Sequence, residues 1–507
     1  MNLEKSGEYQ LFIDNEYRSS ESDRTISVLS PIDGKPFTSI PNASKTDVDD
    51  AVKSAKRCQV EGVWGSLDNL QNRMGVLRSL SQKLRREKEV FAEIETRDCG
   101  KTLDESRADM DFCIDVLDYY AEITPRLLEP KEVKVPDADV KSYIMKKPAG
   151  VVACITPWNY PLMQAVAKVA PAIAAGCSVI LKPSPWASLT CLKLGQLAAD
   201  AGVAKGALNI IAGGGGGGAE DGDCGAHLSN HHLIDRLSFT GSGRTGQALL
   251  HVGADHLRPT SLELGGKGAL VVFEDADIAA AADWALVGIF ACTGQVCSAT
   301  SRLVVHESIA ESVISRVVEE ARKIKVGDPR CKDTQMGPLA FRGQYEKVLE
   351  AIQTAKDEGC HVAVGGSVPE VDPDIRDGYY VQPTILTNVP EESRTWKEEI
   401  FGPVLAIRTF KTEAEAVAMT NDTPYGLGHG VLSADTARAA RVADALDAGI
   451  VWQNCNQALY PSTPFGGWKK SGFGWEYGEA GLEEYVRHKT VIAADPGYSW
   501  NIYVQSS

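Results

Sequence analysis

No run of apolar residues in this 507-residue chain is long enough to cross a bilayer, which excludes helical membrane-spanning classes. Basic charge is in deficit as well. The 52 Lys and Arg against 68 Asp and Glu leave a net charge of −16, which argues against nucleic acid or an anionic membrane as partner. The 12 cysteines include no CxxC pair and no regular spacing, so reduced thiols are the better reading than a disulfide framework. The adjacent His231 and His232 lack companions at zinc-ligand spacing and read as a solvated loop. No internal repeat is evident. The polar start, Met1 to Gln10, shows no signal peptide, and the closing residues match no peroxisomal or retention signal. A cytoplasmic location is the expectation from these absences.

What is present is ordinary globular composition, 43% hydrophobic and 24% charged, in a length that suits two or three domains. Residues 8–30 alternate apolar and polar around Asp14-Asn15 and predict one N-terminal hairpin. Residues 45–125 carry helical periodicity enough for three or four amphipathic helices. Residues 131–149 look extended. From Val151 the pattern becomes alternating strands and helices: strands near 151–155, 178–181, 208–211 and 233–239, helices over 165–175 and 189–201. A second alternating segment follows Gly265, with strands near 269–273, 302–305, 362–364 and 404–407. Such alternation implies parallel sheets with right-handed crossovers. An extended tail over 485–492 is free to pair with 131–149 of its own chain or of another subunit. The glycine run 213–218 has no conformation of its own to preorganise a phosphate cradle and reads as a loop insertion.

Two short stretches carry chemistry. Cys297 sits in the Gly-containing loop 290–299, where a thiol can be an exposed nucleophile, and Glu263 precedes the Gly265-Gly266 pair, which lets a carboxylate swing. A thiolate that attacks a carbonyl and a carboxylate that then activates water suit covalent catalysis. Gly241, Gly243 and Gly246 form G-x-G-x-x-G between a predicted strand and helix, the context of a dinucleotide fingerprint, although a tight ligand-free turn has the same pattern. The ordinary fingerprint would give Glu263 to a ribose. Lys182, at another strand end, could take that ribose and release Glu263 for catalysis.

In order along the chain stand Thr156-Pro157-Trp158-Asn159-Tyr160-Pro161, Lys182-Pro183-Ser184, Phe239-Thr240-Gly241-Ser242, Leu262-Glu263-Leu264-Gly265-Gly266-Lys267, Gly294-Gln295-Val296-Cys297, Met336-Gly337-Pro338, Glu399-Ile400-Phe401-Gly402-Pro403 and Pro464-Phe465-Gly466-Gly467. Together they resemble the NAD(P)-dependent aldehyde dehydrogenase superfamily over nearly the whole chain. The run from Cys297 to Arg302, Trp396 to Glu399 and Trp500 look most like its aminoaldehyde/betaine aldehyde dehydrogenase branch. The resemblance implies an α/β fold of two doubly wound domains with a small β bridging element. It assigns 1–130 and 151–263 to dinucleotide binding, 264–475 to catalysis and 131–150 with 484–500 to oligomerisation, in a homodimer or homotetramer. It also implies NAD as cofactor and a small-molecule aldehyde as substrate.

The implied roles follow residue by residue. Cys297 is the nucleophile. Asn159 and the Cys297 amide hold the oxyanion, a contribution of roughly 3 kcal/mol. Glu263 activates water, and Lys168 and Glu476 relay its proton, or else are simply a buried ion pair. Lys182 and Ser242 contact the adenosine ribose and pyrophosphate, Glu399 and Phe401 the nicotinamide half. Ile155, Thr156, Trp158, Gly241, Gly246 and Leu264 complete the cofactor contacts.

Three departures qualify this pattern. Pro185 stands where the family has a ribose-binding Glu, so NADP use is expected beside NAD. Of the aromatic cage that would hold a quaternary ammonium, Tyr160 is present, but Ala167, Ala291 and Phe465 occupy the remaining places, and Ile450 stands where a small residue would make room. The expected substrate is therefore an ω-aminoaldehyde or a bulkier apolar or aromatic aldehyde, with betaine aldehyde as the alternative. Asp98 matches a monovalent-cation position or is a helix-surface acid. Cys292 is a packed spectator or a redox partner of Cys297. A CoA-linked oxidoreductase and a non-catalytic protein of the same fold are the rivals; Glu263 speaks against the first, and the intact Cys297, Glu263 and Asn159 against the second.

Overall fold

Residues 9–137, 139–214, 223–500 and 503 are described by a computed structural model of the protein. Two sheets dominate. The first has eight strands, in the order Glu16–Arg18, Leu11–Ile13, Leu208–Ile210, Ser178–Lys182, Val151–Ile155, Arg236–Thr240, Thr260–Glu263 and Gly472–Phe473. Its five central strands run parallel, and an antiparallel strand closes each side. The chain winds outward one way from Val151–Ile155, then returns to Arg236–Thr240 on its other side. That reversal is the place where open α/β sheets bind ligands, at the carboxyl ends of the strands. Register brings Lys182, Ile155, Thr240 and Glu263 to that edge together.

The second sheet has seven strands, built around Arg302–His306, Ala269–Val272 and Val404–Phe410, all parallel except for the edge strand His361–Val364. A third sheet joins Val486–Ala494 to Val140–Pro148 along nine residue pairs and adds Lys131–Val133 beyond. The extended tail therefore pairs within its own chain.

Local sequence explains the helix starts. Ser44 with Asp47 and Thr102 with Glu105 form capping boxes that satisfy the first amides of Lys45–Glu61 and Leu103–Leu128. With Leu70–Arg86 and Lys88–Cys99 these make the four helices of the predicted helical stretch. Helix Pro161–Ala175 begins four residues before the predicted start, because Pro161 fits the first turn, where no amide is needed. It ends at the left-handed Gly176.

The single N-terminal hairpin expected over 8–30 is corrected. Asp14 and Asn15 both adopt positive φ, the conformation of a two-residue turn, so the partner strand begins at Glu16. Ile26 and Val28 belong to a separate pair, Thr25–Leu29 with Pro36–Pro41. Strands Thr260–Glu263, Thr384–Thr387, Gly428–Leu432 and Ile450–Gln453 were not anticipated. Gly428–Leu432 reads GHGVL, a poor strand by propensity, and is held by parallel neighbours on both sides. Of the glycine run, Gly213 and Gly214 are described, and Gly214 N–H donates to Asn42 Oδ1 at 3.0 Å; the remainder lies outside the described residues.

A Cβ on Gly195 would stand 2.5 Å from the ring of Phe12, which is 1% exposed. Gly195→Ala should overpack this contact and cost ~1–3 kcal/mol. A lowered thermal midpoint with unchanged kcat is the expected outcome; an unchanged midpoint would mean that the hairpin is not packed on this helix.

Candidate active site

Cys297 lies at the end of a loop whose backbone is forced. Cys292 and Thr293 hold φ of 50° and 55°, and Gly294 follows at 73°. A Cβ at Gly294 would fall 2.2 Å from the Gly402 carbonyl, so no larger residue fits. Each left-handed non-glycine residue costs about 1–3 kcal/mol and persists only where its surroundings impose it. Here they do. Glu105, already the capping acid of its helix, accepts the Cys292 amide at 2.7 Å. Asn159 Nδ2 donates to Gln295 O at 2.7 Å, and Thr293 Oγ1 donates to Gly337 O at 3.0 Å. The Gln295 side chain donates to Cys292 O and accepts from Ala340 N–H. The loop is thus pinned from both large sheets and from the helices.

The glycines after Glu263 serve proximity. Neither Gly265 nor Gly266 has positive φ. A Cβ on Gly266 would lie 2.4 Å from the Cys297 carbonyl oxygen, and one on Gly265 would lie 2.4 Å from Glu399 Oε2. The bare backbone lets the nucleophile loop and Glu399 close in, and Gly266 N–H donates to Glu399 Oε1 at 2.8 Å. Close approach is thus one reason for the glycine pair, beside the expected freedom of Glu263 to swing.

Cys297 and Glu263 share a cavity of about 180 Å3 with Trp158, Asn159, Thr240, Gly241, Ser242, Glu399 and Phe401. Glu263 is 4% exposed, and neither carboxylate oxygen has a conventional donor among the described residues. Burial first, then the negative Glu476, push its pKa up; the Cys297 thiol and Lys168 oppose the shift more weakly. The Cys297 thiol is raised well above its usual range by burial and by Glu263. Burial thus biases both groups toward their protonated forms. Asn159 spends one of its two amide N–H groups on Gln295, leaving the other for an oxygen in the cavity.

Lys168 and Glu476 form a close buried ion pair. Thr240 Oγ1 accepts from Lys168 Nζ at 2.7 Å and donates to Glu476 Oε1 at 2.9 Å. Thr240 also lines the cavity, so the pair reaches the wall that Glu263 occupies.

Features suited to a dinucleotide lie along the same edge. Ser242 caps helix Gly243–Asp255 by accepting Thr245 N–H, and Gly246 lets that helix rest on Leu264, whose Cδ2 a Cβ would meet at 2.7 Å. Lys182 is 6% exposed, and among the described residues its ammonium donates only to Pro183 O, at 3.3 Å. Thr156 N–H donates to Lys182 O, and its buried hydroxyl has no partner among the described residues. Phe401 holds φ of 62° and meets Trp158 edge-on. Buried, incompletely paired donors beside a helix N-terminus fit a pyrophosphate and ribose.

The expected substrate residues fall elsewhere. Ala167 and Phe465 are buried in the hydrophobic cluster against which Cys297 and Ile450 pack. The Tyr160 ring carries the Lys101 ammonium 3.4 Å from its centroid, so the chain's own cation takes one face. Ala291 lines a separate depression with Phe290 and Arg316. Asp98 is buried, not a surface acid: it is 1% exposed, accepts Leu189 N–H at 2.9 Å and is pushed by burial up to about 8. No group of three or more His, Cys, Asp or Glu among the described residues is placed to hold a metal. Cys292 is buried with its thiol on Asn159 O, 3.5 Å away. His231 is only partly solvated, its ring stacked on His232 and 3.4 Å from Asp49.

Residues 17–491 match the aldehyde dehydrogenase family. The chain belongs to that family. A peroxisomal aminoaldehyde dehydrogenase of Pisum sativum is 44% identical over 498 residues, 97% of each chain. A chloroplastic betaine aldehyde dehydrogenase of Amaranthus hypochondriacus is 42% identical, over 97% of this chain and 98% of that one. The crystal structure of a Staphylococcus aureus betaine aldehyde dehydrogenase in complex with NAD+ is 36% identical, with a TM-score of 0.93 over 98% of this chain and 97% of that one. As a member of the aldehyde dehydrogenase family the chain uses further residues that sequence reading missed. Glu105 was legible only as a cap, and its grip on Cys292 spans 187 positions. Gln295 stood two residues before the nucleophile and was passed over.

A carboxyl can act as a base only when ionised, so a rate that depends on Glu263 should have its rising limb above the ordinary carboxylate range near 4.3. Glu476→Gln removes the like charge and leaves Lys168 unpaired, so that limb should move to lower pH. A pH–rate profile of the two proteins checks this, and an unmoved limb would contradict the coupling.

Proposed function

We infer that this protein oxidises an aldehyde to a carboxylic acid through an acyl adduct on Cys297, with NAD as acceptor and NADP as a second one. The observation that carries the reading is the meeting of Cys297, Glu263 and Asn159 on one cavity. Glu263 takes the thiol proton as sulfur adds to the carbonyl carbon. The free N–H of Asn159 and the Cys297 amide hold the oxygen that becomes negative. Glu399 and Phe401 would hold a bound nicotinamide, which would supply the hydride acceptor. The carbonyl re-forms as a thioester. Glu263 hands the thiol proton to the Lys168–Glu476 pair and is ionised again; it then takes a proton from water, hydroxide adds to the thioester carbon, and the departing thiolate recovers a proton from Glu263. Lys168 and Glu476 pass the surplus proton onward.

The substrate we favour is an ω-aminoaldehyde or a bulkier apolar or aromatic aldehyde. Support comes from Ala167 and Ala291 at two cage positions, the occupied face of Tyr160 and the half-buried Ile450. Relatives named for both aminoaldehyde and betaine aldehyde keep the choice within one substrate class. We also assign 1–130 and 151–263 to dinucleotide binding, 264–475 to catalysis, and 131–150 with 484–500 to association of two or four copies. The outer strand Val486–Ala494, with Ile492 70% exposed, supports the last. The cytoplasmic assignment rests only on the lack of recognised address signals, and the Pisum sativum relative is named peroxisomal.

Cys297→Ala should abolish NADH formation from aldehyde. Glu263→Gln should slow both the first formation of NADH and the later turnover by about 10²–10⁴-fold. Rapid-mixing absorbance at both phases checks the pair; full turnover in either variant would reject the mechanism.

Across an aldehyde panel, an ω-aminoaldehyde should exceed betaine aldehyde in kcat/KM. NADP should support measurable turnover, because Pro185 offers neither acceptor nor negative charge to a 2′-phosphate. Highest efficiency with betaine aldehyde would reject the substrate assignment, and a thousandfold preference for NAD would reject the NADP reading.

A further inference from the structure

Four aromatic rings run from solvent into the active-site cavity. Trp186, 50% exposed, lies in the turn that follows Lys182 at the edge of the first sheet. Its ring stacks on Phe341 with centroids 4.6 Å apart and planes 9° from parallel. Phe341 immediately precedes helix Arg342–Asp357, beside the second sheet, and lines the cavity of Cys297. It meets Trp158 edge-on at 5.2 Å, and Trp158 meets Phe401 in the same way at 5.3 Å. Trp186 thus ties the wall carrying Lys182 to the wall carrying Glu399 and Phe401.

We propose that the Trp186–Phe341 stack is a latch across the dinucleotide groove that sets how fast cofactor enters and leaves and takes no part in the chemistry. This rests on the assignment of the groove to NAD(P). Trp186 follows Lys182 by four residues and Phe341 lines the cavity of Cys297, so the stack stands beside the span between those two groups. The stack is a contact between walls, not with cofactor, so it holds the groove closed whether the groove is filled or not. Breaking it adds to the barrier in both directions. A parallel aromatic pair of this kind is worth about two- to tenfold in a rate. The turn is held in place by Trp186 N–H donating to Ser184 Oγ at 3.3 Å, which leaves the indole free to tilt without unfolding its strand.

The test is stopped-flow measurement of NADH association and dissociation in Trp186→Ala, Phe341→Ser, the double variant and Trp186→Phe, with thermal midpoints alongside. The latch requires both rate constants to rise about two- to tenfold in each single variant, with Kd moving less than either. It requires the double variant to be no faster than the singles, Trp186→Phe to return toward the parent, and Trp186→Ala loaded with cofactor to keep the parent single-turnover rate. A rise in dissociation alone, with Kd weakened to match, would make Trp186 an ordinary contact and overturn the proposal; so would unchanged rates. Failure of the parent protein to bind NADH would instead overturn the cofactor assignment.

Discussion

The site depends on a strained loop held closed by distant partners. Two consecutive non-glycine residues, Cys292 and Thr293, sit in left-handed backbone, and within 290–297 only Gln295 braces them, through the Cys292 carbonyl. The Glu105 carboxylate on the Cys292 amide, Asn159 on Gln295 and Thr293 on Gly337 together offset the strain. A hydrogen bond to a charged group contributes about 1.5–3 kcal/mol, the scale of one left-handed residue. The loop geometry, and with it the direction of the Cys297 thiol, therefore follows from how the first sheet and its helices meet the second.

Burial then supplies the chemistry. Glu263 and Cys297 are both desolvated; Glu263 disfavours the thiolate, while the thiol, as a donor, weakly favours the ionised carboxylate. A carboxyl with no conventional donor on either oxygen is an expensive thing to keep in a core unless it stays protonated. That cost is what tunes a glutamate into a base able to work near neutral pH. Lys168, Glu476 and Thr240 form the neighbouring charged network and bias the same carboxyl in opposite senses. Both readings of Lys168 and Glu476, relay and ion pair, are compatible with this arrangement, since an ion pair bonded through a hydroxyl in the cavity wall can also pass a proton.

Four of the five central strands of the first sheet were legible, because short β-rich runs closed by glycine or proline have few alternatives. Val151–Ile155 and helix Leu189–Ala201 stand where the pattern put them. Gly428–Leu432 and Ile450–Gln453 were not legible, since their strand character comes from neighbours in the sheet and not from their own residues. The N-terminal hairpin was misread because two positive-φ residues close a tighter turn than alternation alone suggests. In the site, Cys297, Glu263 and Asn159 stood out as residue types suited to one reaction. The substrate-pocket residues could only be placed by resemblance, and the structure distributes them between a hydrophobic cluster, the face under Lys101 and a separate depression.

By itself the sequence determined the reaction type, the parallel α/β order and the membership of one family, because those follow from local periodicity and from residue chemistry in fixed order. Only the tertiary structure decided that Asp98 is buried, that the tail pairs with its own chain, that the glycines after Glu263 admit close contact with Cys297 and Glu399, and that Trp186 reaches Phe341. Each of these depends on a partner scores of residues away, and no local pattern encodes the distance between two surfaces that meet only after the chain has folded.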